Sequence, residues 1–80
     1  MDDNHTVRIR KIDDIHFHFI LHDDGRQIDE QVTGAQLQAM LKRETLINTR
    51  GETIAAGDIL YVFDNEKPGH ELTFTLVPSL

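Results

Sequence analysis

The sequence predicts a small α+β domain: a mixed sheet of four to five strands with one helix packed on one face. Three observations lead there. Residues 15–22 alternate, with Ile15, Phe17, Phe19 and Leu21 on one side and His16, His18, Ile20 and His22 on the other. A period of two with aromatic and β-branched residues marks a half-buried strand. Thr33-Gly-Ala-Gln36 has the capping-box form of a helix start, a hydroxyl residue followed three positions later by Gln. Residues 71–77 alternate again and place Leu72, Phe74 and Leu76 on one side.

Taken in order, Thr6 to Ile12 alternates apolar and basic residues over its first half. It reads as part of an N-terminal arm or extra edge strand, residues 1–14, ahead of a domain spanning 15–80. After the strand beginning at Ile15, Asp24-Gly25 is a two-residue hairpin signal. A turn there sets Leu21 opposite Ile28 and Phe17 opposite Val32, which is self-consistent. Glu30 then falls opposite Phe19 on the core side, so a bulge or a strand edge is expected at that point.

The helix is expected from about Gly34 to Arg43, with Leu37, Met40 and Leu41 inward and Gln36, Gln38 and Lys42 outward. Lys42 and Arg43 suit its C-terminal end. Thr45 to Ile47 and Thr53-Ile54 form a small hairpin about the turn Asn48-Thr-Arg-Gly51. Ala55 to Asp58 reads as another turn. Ile59-Leu-Tyr-Val-Phe63 then reads as a central strand, and Pro68-Gly69 as a type II turn into the last strand.

Composition limits the function classes. Eighty residues form one domain with little interior for a deep cleft, which argues against an enzyme. Without cysteine there is no disulfide framework and no thiolate nucleophile or ligand. The N-terminal Met1-Asp2-Asp3-Asn4-His5 is the opposite of a secretory n-region, and no apolar run approaches the roughly 18 residues of a membrane span. A soluble, cytoplasmic protein is expected. A net charge of −6 argues against phosphate-backbone binding, so neither nucleic acid nor membrane is an expected partner.

The layout of strand, strand, helix and returning strands resembles the β-grasp of ubiquitin-like proteins, and most nearly the bacterial multi-ubiquitin type. The matching segments are His16 to Leu21, Gln27 to Val32 and the helix opening Thr33 to Leu37, with Ile54, Ile59 to Val62, Gly69 and Phe74 echoing the family's later part. Gly57-Asp58-Ile59-Leu60 is similar to a stretch of sulfur-carrier and TGS-like domains. The resemblance covers roughly residues 15–77. It implies a β-grasp fold and the use of a sheet face or edge to contact another protein. Modifiers and sulfur carriers of this kind end in a slim, flexible Gly-Gly, whereas this chain ends in Val77-Pro78-Ser79-Leu80. Conjugation or sulfur transfer through the terminus is therefore not expected.

Five residues are the candidates for partner binding. Ile20 is an apolar residue on the outer sheet face, able to form a patch with Leu60 or Val62 or to be covered by the strand Thr6 to Ile12. His18 and His22 flank it, and Arg8 and Arg10 lie on a neighbouring surface. Arg8, Arg10 and Lys11 make a small basic patch. His16 and His18 are two imidazoles on one face about 7 Å apart, a spacing used at transition-metal sites. The reading adopted is surface histidines; a metal site and a pH-sensitive interface are the alternatives. Asp13-Asp14 and Asp23-Asp24 sit where turns favour aspartate, so they are turn residues and not an acid–base pair.

The expectation is a non-catalytic protein-interaction module without cofactor, a monomer or a weak edge-strand homodimer. The alternative is a small acidic inhibitor or nucleic-acid mimic of phage or mobile-element type. It is motivated by Asp2, Asp3, Asp13, Asp14, Asp23, Asp24, Asp29 and Glu30 in the first half of the chain.

Overall fold

The computed structural model describes residues 5–23, 26–42 and 44–78. The elements are β1 (His5–Lys11), β2 (His16–Asp23), β3 (Arg26–Thr33), α1 (Gly34–Met40), β4 (Glu44–Ile47), β5 (Thr53–Ala55), a 3-10 turn (Ala56–Asp58), α2 (Ile59–Asp64) and β6 (Glu71–Pro78). The strands form one six-stranded sheet in the order β3-β2-β1-β6-β4-β5. Every pairing in it is antiparallel. The α+β class is therefore as expected, but the sheet is neither mixed nor limited to five strands.

The difference originates in β1. Expected as an arm or an extra edge strand, it lies inside the sheet and pairs with β2 on one side and β6 on the other. Val7 and Ile9 explain the placement. Both are completely buried, so the strand must lay that face on the core, and as an interior strand both its edges are paired as well. With β1 between them, β2 and β6 no longer touch as neighbours.

The β2–β3 hairpin has the expected register, with Leu21 opposite Ile28 and Phe17 opposite Val32. Asp24 and Gly25 lie outside the described residues. The pairing runs without a bulge from His16↔Thr33 to Asp23↔Arg26. Glu30 is accommodated because β3 is an edge strand and the carboxylate reaches water. The capping box also forms: the Gln36 N–H donates to Thr33 Oγ1 at 3.2 Å and the Thr33 N–H to Gln36 Oε1 at 2.9 Å. At Pro68-Gly69 the His70 N–H donates to the Lys67 carbonyl at 3.0 Å, and Gly69 has φ +90°, the left-handed value a type II turn needs.

Three local expectations are corrected. Residues 59–63 form a helix, not a strand. A short apolar run is compatible with either conformation. As a helix it sets Ile59 and Phe63 four apart on one face, both buried, while Tyr61 is 71% exposed. Met40 is 40% exposed because the inward stripe of α1 is Leu37 and Leu41, one turn apart. Ile15 is 61% exposed, since Asp13 Oδ1 accepts the N–H groups of Ile15 and His16 in a turn and β2 starts only afterwards.

One core results. Val7, Ile9, Phe17, Phe19, Leu21, Val32, Leu46, Phe74 and Leu76 from the sheet pack with Leu37 of α1, Leu41 at its C-cap, and Ile59 and Phe63 of α2. Both helices therefore cover the same face, and among the described residues no helix lies on the opposite face of the sheet. No helix among the described residues is long and apolar enough to cross a membrane.

Candidate functional site

The uncovered face is built by alternation. Because Val7 and Ile9 point into the core, Arg8 and Arg10 must point away from it. On β2, burial of Phe17, Phe19 and Leu21 turns His16, His18, Ile20 and His22 to that same outer side. The β1–β2 register then sets Arg8 opposite Ile20 and Arg10 opposite His18, with His22 opposite Thr6. All five candidate partner-binding residues thus share one face on two adjacent strands. Sequence alone puts the arginines on a neighbouring surface; the antiparallel pairing of β1 with β2 brings them together with the histidines.

The charges on this face are largely paired. Glu71 of β6 lies opposite Arg10 in the sheet. Its Oε2 accepts from Arg10 Nη2 at 3.4 Å, and its Oε1 is 3.8 Å from Arg8 Nη1. Both guanidinium groups remain half exposed, at 49% and 48% of their side-chain surface. His18 Nε2 contacts Asp29 Oδ1 across the β2–β3 pair, and the outermost histidine, His22, is exposed with its Nδ1 3.5 Å from Gln27 Nε2. Ile20 sits between Arg8 and Asp29 and is only 8% exposed. It is a filled position beneath charged neighbours and not an open apolar anchor. Of the two alternatives for it, a patch with Leu60 or Val62 does not form, because α2 carries both to the other side of the sheet, and the strand Thr6 to Ile12 pairs beside it instead.

His16 and His18 each turn to a separate carboxylate. His16 Nδ1 lies 3.0 Å from both Asp13 oxygens, while His18 has Asp29. Among the described residues no group of three or more His, Cys, Asp or Glu gathers where it could hold a metal ion. Asp13 is a turn residue, as expected. Its carboxyl is held below the ordinary value of 3.8 by the N–H groups of Ile15 and His16 and by the His16 side chain. Of the acidic residues behind the inhibitor alternative, Asp13 and Asp14 are in the β1–β2 turn, Asp29 faces outward and Glu30 the opposite way. Asp2, Asp3 and Asp24 lie outside the described residues.

Two features of the site are missing from the sequence reading. Glu71, which joins the two arginines, is 61 residues from Arg10, and nothing local connects them. Lys11 does not belong with Arg8 and Arg10: it shares the inward parity of Val7 and Ile9 and is only 7% exposed. Period two, carried one residue further, contains that signal.

Comparison with protein-family profiles, curated proteins and solved structures finds no match.

Proposed function

We propose that the chain is a non-catalytic module that binds another protein through the open face of β1 and β2. The observation that carries this reading is the gathering of Arg8, Arg10, His18 and His22 on the sheet face opposite both described helices. Arginine is enriched at interface centres, where its planar donors meet carboxylates and backbone carbonyls. Here two half-exposed guanidiniums are steadied by one shared carboxylate, which limits the side-chain entropy lost on binding. The resemblance to ubiquitin-like modules implies the same use of a surface, and an acidic protein partner suits the arginines.

The experiment is capture from native lysate with the wild type and with Arg8→Glu/Arg10→Glu. Circular dichroism and an unchanged unfolding transition establish that the variant is folded. Loss of the specifically captured protein is expected. Retention of the same protein by a folded variant would remove the face from consideration.

A second reading uses the edge of β3, where eight residues have a neighbour on one side only. A partner strand added there would gain main-chain hydrogen bonds. Self-pairing is opposed, since two antiparallel copies centred on Asp29-Glu30 set carboxylate against carboxylate.

A further inference from the structure

On the helical side of the sheet, the β1–β2 turn, α1 and α2 enclose a groove of about 430 Å³. Its apolar lining includes Ile15, Phe17, Leu60 and Phe63. Phe17 and Phe63 form the floor, nearly buried and in edge-to-face contact at 5.3 Å. Ile15 stands at the rim, 61% exposed, and continues the apolar lining out to the surface. Gly34 helps to keep the space open: a Cβ there would lie 3.2 Å from both Leu60 methyl carbons.

Charge identifies the occupant. Among the described residues the groove has one lining cation, Lys11, and it is turned inward with 9% of its side chain exposed. Its ammonium donates to the carbonyls of Phe63 and Glu66. The groups that face water are carboxylates: Asp14, with a 97% exposed side chain and its Oδ1 3.8 Å from the Lys11 ammonium, and Asp64. An apolar slot with carboxylates at its mouth complements an apolar side chain followed by a cation.

We propose that this groove docks a segment of a partner protein in which a large aliphatic residue is followed directly by arginine or lysine. The aliphatic side chain enters between Ile15 and Leu60 onto Phe17, and the cation pairs with Asp14 and Asp64. The groove faces away from Arg8 and Arg10. It is a second contact surface, and the two can fail independently.

The test is a titration of the full-length, isotope-labelled chain with capped tetrapeptides, followed by amide resonances. The probes are Leu-Arg-Arg-Gly, Ala-Arg-Arg-Gly and Leu-Glu-Glu-Gly. Leu-Arg-Arg-Gly should shift the amides of Ile15, Ala35, Leu60 and Asp64 saturably, leaving Arg8 and Arg10 unmoved. The alanine peptide should bind about fivefold more weakly or worse, having lost most of the buried aliphatic surface. The glutamate peptide should not saturate. Asp14→Asn/Asp64→Asn should weaken the arginine peptide by about threefold or more, an effect that fades with salt.

Ala35→Tyr is a second variant. Ala35 is an exposed lining residue, so a tyrosine there fills the groove with no core change, and binding should be lost. Equal responses to all three peptides, shifts confined to other surfaces, or full binding by folded Ala35→Tyr would each overturn the proposal. So would concentration-dependent shifts of the same amides without peptide, which would assign the groove to a second copy of the chain.

Discussion

The ammonium of Lys11, the last residue of β1, donates to the carbonyl oxygen of Phe63 in α2 at 3.0 Å, and to that of Glu66 at the same distance. The carbonyls at the end of a helix have no intrahelical donor, and a cation is the favoured partner there. Lys11 supplies a cation from the middle of the sheet, beside the Glu66 N–H that also donates to the Phe63 carbonyl at 3.0 Å. A short helix that would not persist alone is thereby tied to the strand beneath it.

Lys11→Met keeps the aliphatic stem and removes the donor. A hydrogen bond to a charged group is worth about 1.5–3 kcal/mol, so a loss of about 2 kcal/mol is expected. Urea unfolding measures it, and amide exchange in α2 should quicken more than in β2. A change within 0.5 kcal/mol, about the scatter of a neutral surface substitution, would show that the contact is incidental.

Phe63 and Tyr61 should differ sharply. Phe63 is 1% exposed and lies in edge-to-face contact with Phe17 at 5.3 Å and Phe74 at 6.4 Å. Phe63→Ala is expected to lose about 3–5 kcal/mol, a large part of the stability of a domain this small. Tyr61→Ala is expected to change stability by less than about 0.5 kcal/mol. In a strand, residues 61 and 63 would share a face and both substitutions would be severe. Thermal unfolding of the two variants separates these arrangements.

Asp13 makes stability depend on acid. Its folded-state carboxyl lies below the ordinary 3.8, because the N–H groups of Ile15 and His16 and the His16 side chain favour the ionised form. A depressed value means that the unfolded chain binds the proton more readily. The contribution is complete above the unfolded value and is lost as pH falls through the folded one. Urea midpoints measured at pH 7 and near pH 3 should therefore converge in Asp13→Asn relative to the wild type. An identical acid dependence in both would refute the assignment.

Local chemistry made about half of the molecule legible. The β2–β3 register follows from apolar residues at alternate positions on both sides of a two-residue turn. The start of α1 follows from two side chains three residues apart, and the last strand from its own alternation. Of the candidate face, only the β2 residues were legible as neighbours. Parity sets His18, Ile20 and His22 together, yet only the pairing of β1 with β2 sets Arg8 opposite Ile20 and Arg10 opposite His18.

By itself the sequence determined the α+β class, the β2–β3 hairpin, the capped helix and the faces of β2 and β6, because these depend on groups a few residues apart. Tertiary structure decided the antiparallel six-stranded order, the inward turn of Lys11, the sharing of Glu71 by two distant arginines and the helical state of 59–64. The physical reason is burial. A short apolar run or a short alternating strand can satisfy its own hydrogen bonds in more than one way, and the choice goes to the arrangement that removes Val7, Ile9, Ile59 and Phe63 from water together.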